Sequence, residues 1–392
     1  MDPYLRLLLL ISTLFFIPKV MLRLGLPSPV TEMALGVLCG PLALGVVDKD
    51  PLLSGLAAMG ISALFLFAGL EVEVHEIVQR RRTLIEHLGI QLVLSVAAVA
   101  TGLGLGIALA PSVLISLAVM SSSAGFIIPV LEILGLKGDL GSWIRQKAVV
   151  SELMAIAGVL VFANTTSTRE LLLGFGGILG LIAVVPLAFL LFHRTILWWA
   201  PGTEFSFVMI VALLGAYLTH HLGVHYLVGA FTVGLISRRY LDWCARRNLP
   251  VASLVSALSS FRFFSAFFVP FFFFLVGVGL HAGALSSKAL LLGIALLIIV
   301  GPLRVGSVML HRRIQLNESW SESWNVALML GPTLVFSVAV AEILHERFDP
   351  PDWIVGGIIL YGAATSLLPS LTSRVHSTEF EDVMGPQAPG AL

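Results

Sequence analysis

From Leu7 to Leu371 the chain is a succession of apolar runs separated by short polar or Pro/Gly punctuation. A helix needs roughly 20 apolar residues to cross the hydrocarbon of a bilayer, and only helices or closed barrels satisfy their backbone groups there. The runs are far longer than barrel strands, so they predict helices. Cutting at the punctuation gives thirteen: 4–24, 28–47, 52–72, 84–109, 112–134, 145–163, 170–193, 204–221, 224–237, 261–281, 285–310, 322–345 and 352–372. The fold class expected is an all-α polytopic membrane protein with about 13 transmembrane helices.

Composition agrees. Hydrophobic residues make up 57% of the chain and charged residues 12%, against about 25% charged in a soluble domain. Of the 23 basic residues, seventeen fall at one end of the runs, among them Arg80 to Arg82, Arg238, Arg239, Arg312 and Arg313. Five fall at the other: Arg6, Lys49, Arg169, Lys288 and Arg347. Arg304 is left inside a run. Basic residues concentrate in cytoplasmic loops, so the N-terminus is expected outside and the C-terminus in the cytoplasm. Cys39 in an apolar run and Cys244 in a basic loop give neither a disulfide nor a metal spacing. No nucleophile with a base partner is recognisable, which makes an enzyme the weakest reading, and no GxGxxG follows a strand to hold a nucleotide cofactor.

Thirteen runs divide into six, a connector and six, which inverts one half relative to the other, as in many secondary transporters. The membrane domain is then 1–373, with repeats at about 4–163 and 204–372 around the connector 170–193, and a short tail at 374–392. Such folds carry interrupted helices at corresponding positions. Run five holds Ser121, Ser122, Ser123, Gly125 and Pro129, and run twelve holds Gly331, Pro332 and Thr333. Both read as broken helices whose freed carbonyls and N–H groups, with nearby hydroxyls, offer oxygen to an ion.

Ionisable residues inside the runs are few, and each costs about 2.5–3.5 kcal/mol on insertion scales. Glu152 lies near mid-membrane by helical rise, and Arg304 lies within run eleven. Glu152 has two readings, an ion carrier or a structural carboxylate paired with Arg304 or Lys147. Arg304 stays protonated and can only compensate charge. Glu32 and Glu132 sit nearer run ends, where water or headgroups reach them, and Glu71 and Glu73 read as interfacial. His220, His221 and His225 resemble a metal site only weakly, Phe271 to Phe274 reads as packing, and Asn164 to Thr166 is a short sequon.

Five segments in order carry a resemblance: LPSPVTEMALGVLCGPLALG from Leu26, LFLFAGLEVE from Leu64, VMSSSAGFIIPVLEILG from Val119, YLVGAFTVGLISRR from Tyr226 and FFFFLVGVGL from Phe271. Over runs two to thirteen the chain resembles the monovalent cation:proton antiporter-2 family, which includes Kef-type potassium efflux and Nap-type sodium/proton antiporters. The resemblance implies the Nha/Nap-type antiporter fold, in which a core with two crossing helices moves against a panel or dimerisation unit. It places Ser151 and Glu152 on the family's acidic pair, Arg304 on its basic residue in the eleventh span, and Thr333 where the second crossing helix has an acid. The resemblance is expected to stop short of the regulatory nucleotide-binding domain of many Kef-type members.

The function expected is secondary exchange of a monovalent cation, Na+ or K+, for a proton by alternating access around Glu152. Ser151, Ser122, Ser123 and Thr333 complete the ion and proton site, with Arg304 compensating charge. A single titratable group implies electroneutral exchange. Protons, the cation and the bilayer are the expected partners, with a homodimer in a bacterial inner membrane, no nucleic acid, no cofactor and no resident metal. A channel-like or anion-coupled transporter of the same fold, or a non-transporting membrane sensor, stands as the alternative.

Overall fold

The computed structural model describes residues 3–136, 138–163, 168–200, 202–222, 224–246 and 252–372, and among these every regular element is helical. In order they are α1 (Pro3–Leu22), α2 (Ser28–Cys39), α3 (Pro51–Leu70), α4 (Val74–Gln79), α5 (Arg81–Gly104) and α6 (Leu109–Met120). Next come α7 (Ala124–Ile133), α8 (Gly138–Phe162), α9 (Thr168–Arg194), α10 (Ile196–Trp199), α11 (Glu204–His221) and α12 (Tyr226–Arg246). The last are α13 (Ala252–Val278), α14 (Ser287–Leu316), α15 (Trp320–Met329), α16 (Leu334–Phe348) and α17 (Asp352–Thr365). The tail at 374–392, the sequon at 164–166 and the side chain of Glu132 lie outside the described residues.

Each predicted run falls on a helix or, at two places, on a pair. Run five is α6 and α7, and run twelve is α15 and α16. Among the described residues nine stretches are long and apolar enough to cross a membrane, and the apolar parts of α1 and α2 are shorter. The other two runs lie on α8 and α12, which carry Arg145, Lys147 and Glu152, and Arg238, Arg239 and Asp242. Length and apolarity therefore account for nine crossings rather than thirteen. The ninth run is also longer than its apolar pattern suggests: α12 continues to Arg246, and Cys244, expected in a loop, is buried within it.

Two groups of helices organise the bundle. One packs α2, α3, α11, α12 and α13 together, with α1 against α2 and α13. The other packs α5, α6, α8, α14, α15, α16 and α17, with α7 against α8. Between the groups α7 touches α3, and α9, which lies on α11 and α12, touches α8. The side chains of Phe271 to Phe274 are all buried in the first group.

Small residues set the spacing within that group, as expected where lipid supplies no hydrophobic drive between helices. A Cβ on Gly36 of α2 would run into the Phe274 carbonyl, and one on Gly277 of α13 into the Met33 carbonyl. This close approach also encloses Glu32, which is 4% exposed and whose Oε2 has no hydrogen-bond partner; the sequence had put it within reach of water. Gly36→Ala should force α2 and α13 apart and destabilise the protein by about 1–3 kcal/mol. Gly55→Ala, with open space at its Cβ, is the control. Equal thermal unfolding midpoints for the two variants would show that the contact carries no stability.

Charged contacts join the groups at one end of the bundle. Arg145 of α8 lies 3.6 Å from Glu71 and 3.8 Å from Glu73, and Arg238 of α12 lies 3.2 Å from Glu73. At the opposite end of α12, the Tyr226 hydroxyl donates to Glu342 Oε2 of α16 at 3.0 Å.

Candidate functional site

Both helix breaks arise where the sequence competes with helical hydrogen bonding. At the first, Ser121 turns extended (φ −85°, ψ 132°) and ends α6. Serine hydroxyls offer the backbone partners outside the helix. At the second, Pro332 lacks the N–H that a continuing helix needs, and Thr333 becomes the N-cap of α16. The breaks touch: Ser123 N donates to the Pro332 carbonyl at 2.9 Å, and Ser122 Oγ to the Leu330 carbonyl at 2.7 Å. Gly331 and Pro332 lie in the second break as expected. Gly125 and Pro129, expected at the first, lie inside α7 instead. Gly125 admits Leu64 of α3 against the head of α7, where a Cβ would stand 3.2 Å from Leu64 Cγ. Pro129 has no N–H to give the Gly125 carbonyl four residues back.

Glu152 of α8 meets the head of α7. Its side chain is buried, and Oε2 accepts from Ala124 N at 2.9 Å. The N-terminal end of a helix carries unpaired N–H groups and a positive partial charge, so α7 supplies a neutral scaffold's substitute for a cation. Oε1 has no hydrogen-bond partner among the described residues, and neither has Ser123 Oγ. Ser151, one position before, accepts from Ser122 N at 3.0 Å. Glu152, Ser151, Ser122 and Ser123 are thus brought to one place.

Arg304 does something other than pair with Glu152. Nη1 donates to the Gly331 carbonyl at 2.7 Å and reaches the Tyr361 hydroxyl at 3.3 Å. Nη2 donates to the Leu330 carbonyl at 3.1 Å and to Ser122 Oγ at 3.2 Å. The guanidinium caps the C-terminal end of α15, the negative pole of that half-helix. Its charge compensates carbonyls rather than the carboxylate. Lys147 is equally uninvolved with Glu152, its polar contact being His311.

Thr333 is drawn into a hydroxyl cluster. Its N–H reaches Thr365 Oγ1 at 3.3 Å, its hydroxyl lies 3.2 Å from the same oxygen, and Ser337 Oγ donates to it at 3.0 Å. Thr365 is to α16 what Glu152 is to α7, the side chain that receives the leading amide. Likewise Gln91 Nε2 donates to Ser121 Oγ at the tail of α6 at 3.4 Å, as Arg304 does to carbonyls at the tail of α15. Sequence reasoning missed Thr365, Tyr361 and Gln91. A six-plus-six alignment of the runs, with Thr365 opposite Glu152, was the signal available.

The three histidines do not gather. The His220 and His221 rings stand 6.3 Å apart and His225 stacks on Tyr226 at 4.0 Å. Among the described residues no group of three or more His, Cys, Asp or Glu side chains is placed to hold a metal ion.

Chemically, the arrangement offers one enclosed carboxylate with one oxygen tied to a half-helix and the other open, beside two serine hydroxyls. Known proteins resemble the chain over most of its length. The family described as sodium/hydrogen exchanger, transmembrane, matches residues 9–380. The Na+/H+-K+ antiporter GerN of Bacillus cereus is 23% identical over 277 residues, 68% of each chain. The probable Na+/H+ antiporter 3 of Methanocaldococcus jannaschii is 24% identical over 289 residues, 69% of this chain and 70% of that one. In fold, the chain superposes on the sodium proton antiporter MjNhaP1 of Methanocaldococcus jannaschii at pH 8, with a TM-score of 0.66 and 16% identity over 95% of each chain.

Proposed function

The chain belongs to the sodium/hydrogen exchanger transmembrane family, and from that premise we propose that it exchanges a monovalent cation for a proton on Glu152. The activity is that of a secondary transporter, not an enzyme. The observation that carries the reading is the carboxylate itself, enclosed, without an ion-pair partner among the described residues, and open at Oε1. Oε1 binds either a proton or the cation. Ser123 Oγ and the Ser151 and Ser122 hydroxyls supply further hard oxygen donors, which suit such an ion. Thr333 stands further back, holding the head of α16 through Thr365 and Ser337. A bare carboxylate is costly to carry through a low-dielectric barrier, so the core moves loaded with one or the other, and that exclusion couples the two fluxes.

The alternating movement takes place between the two helix groups. Their common surface is apolar and includes Leu64 of α3 over Gly125 of α7, contacts without fixed direction that support such a movement. The matched roles of Glu152 and Thr365, and of Gln91 and Arg304, support reading the core as inverted repeats. We propose a homodimer in a bacterial inner membrane with the N-terminus outside; the basic-residue asymmetry supports the orientation. Sodium is the first cation to test and potassium the second.

One carboxylate changes its charge in this site, since Arg304 does not deprotonate. One proton therefore exchanges for one monovalent cation, and the rate should not depend on membrane potential. Flux in liposomes clamped at several potentials should show one reversal point, set by the two concentration gradients. A reversal point that moves with voltage would show that a second group titrates with each cycle.

A further inference from the structure

A second set of titratable groups lies on the same helix as Glu152, away from the exchange site. Lys147 of α8 is fully buried at 0% exposure, yet its ammonium faces no carboxylate within ion-pair distance among the described residues. Its Nζ lies 3.2 Å from His311 Nδ1, and His311 Nε2 lies 3.3 Å from Glu86 Oε2. Glu86 is 27% exposed at the arginine-rich end of the bundle. A buried lysine, an imidazole and a surface carboxylate thus stand in line.

We propose that Lys147, His311 and Glu86 form a second proton-binding site, a relay between the aqueous face and the helix that bears Glu152. The hydrogen inventory supports it. One hydrogen lies between Nζ and Nδ1, and another between Nε2 and Oε2. With Lys147 protonated, it donates to Nδ1 while Nε2–H donates to ionised Glu86. Moving one proton from Nζ to Nδ1 gives neutral lysine and imidazolium. Moving the Nε2 proton to Oε2 then leaves the other imidazole tautomer and a neutral Glu86, which releases that proton to water. Each step breaks one N–H bond and forms one N–H or O–H bond without displacing a heavy atom.

The groups facing this line are few. Arg82 of α5 lies 3.2 Å from Glu86, and His87 stacks on His311 with ring centroids 6.4 Å apart. Arg312 and Glu318 act on Lys147 electrostatically, Arg304 acts on His87, and the Trp143 ring lies 5.8 Å from Nζ. None replaces the His311 contact.

Helical rise puts Lys147 about 7.5 Å along α8 from Glu152 and one turn from Ser151. A positive charge there repels an incoming cation, and its loss removes the repulsion. The relay therefore reports the acidity of the aqueous face to the exchange site, which strengthens cation binding as pH rises. It rests on the exchange reading at Glu152 and adds a proton that is not itself exchanged.

The test uses the full-length protein in liposomes with sodium as the cation, its half-saturating concentration measured at pH 6 and pH 8. Lys147→Met removes the charge, and should bind sodium about tenfold more tightly than wild type at pH 6 and about as tightly as wild type at pH 8. Lys147→Gln serves if Met prevents folding. His311→Gln offers Lys147 an amide oxygen that only accepts, which favours the charged lysine, so sodium binding should match wild type at pH 6 and stay weaker than wild type at pH 8. Opposite displacements of the two variants support the relay; a wild-type pH dependence in both, or displacement in the same direction, overturns it. Wild-type flux in Glu152→Gln would instead remove the exchange reading, whatever these two variants do.

Discussion

Glu152→Gln is expected to reduce proton-coupled cation flux to the level of protein-free liposomes while the protein stays folded. Glutamine has nearly the same volume, and its amide oxygen can still accept from Ala124 N, so the contact at the head of α7 survives. The amide NH2 occupies the open position that Oε1 holds in the native protein. It neither takes up a proton in the accessible pH range nor offers a negative charge to a cation. Stability should be unchanged or higher, because an ionisable group in an enclosed site is replaced by a neutral one. The check is paired: dye-reported proton flux driven by sodium and potassium gradients, and thermal unfolding of the same preparation. Coupled flux at the native rate in a folded variant would leave Glu152 with a structural role only.

Arg304→Ala should be the most damaging single change to the core. The guanidinium supplies hydrogen bonds to two main-chain carbonyls at the tail of α15, at Leu330 and Gly331. Leu330 keeps the Ser122 hydroxyl as a second donor, but the Gly331 carbonyl is left facing a cavity of about 30 Å3 between α5, α6, α14 and α15, roomy enough for a water molecule. Losing charge-assisted bonds to buried acceptors costs about 3–5 kcal/mol in total. A large fall in the unfolding midpoint is expected, with loss of flux following from the displaced break. Arg304→Lys should restore the charge but not the two-pronged geometry, and so recover only part of the stability. An Arg304→Ala protein as stable as the native one would mean that the α15 terminus is held by other contacts.

Much of this was legible before any coordinates. Thirteen apolar runs locate the helices because a bilayer permits little else, and serines or Gly-Pro within a run mark where a helix is interrupted. The place of Glu152 in the middle of an apolar run fits its burial within the fold. What escaped the sequence is what depends on which helix lies beside which. Arg304 carries a charge opposite to that of Glu152, and one of two sequence readings paired the carboxylate with it or with Lys147, yet the fold gives the guanidinium carbonyls at the end of a half-helix. Thr333 carries a hydroxyl in the right segment, but α17 brings Thr365 against it. Glu32 lies near the end of a run, and only the glycine contact between α2 and α13 shows that it is enclosed. Periodicity describes one helix at a time, and the polar partners here come from three or four.

The contacts joining the two helix groups differ between the ends of the bundle, and this bears on the rhythm of the proposed cycle. At the arginine-rich end Glu73 is shared by Arg145 and Arg238, whose side chains are 29% and 23% exposed; ion pairs so placed are worth about 0–1 kcal/mol each and weaken with salt. At the other end the contact is a part-buried hydrogen bond from the Tyr226 hydroxyl, a neutral donor, to Glu342, which ionic screening weakens less than a pair of full charges. The motion is therefore held by an electrolyte-sensitive detent at one rim and a less sensitive one at the other. Salt speeds the parting of one rim more than the other, so the time spent open to each compartment becomes a property of the surrounding electrolyte as well as of the gradients.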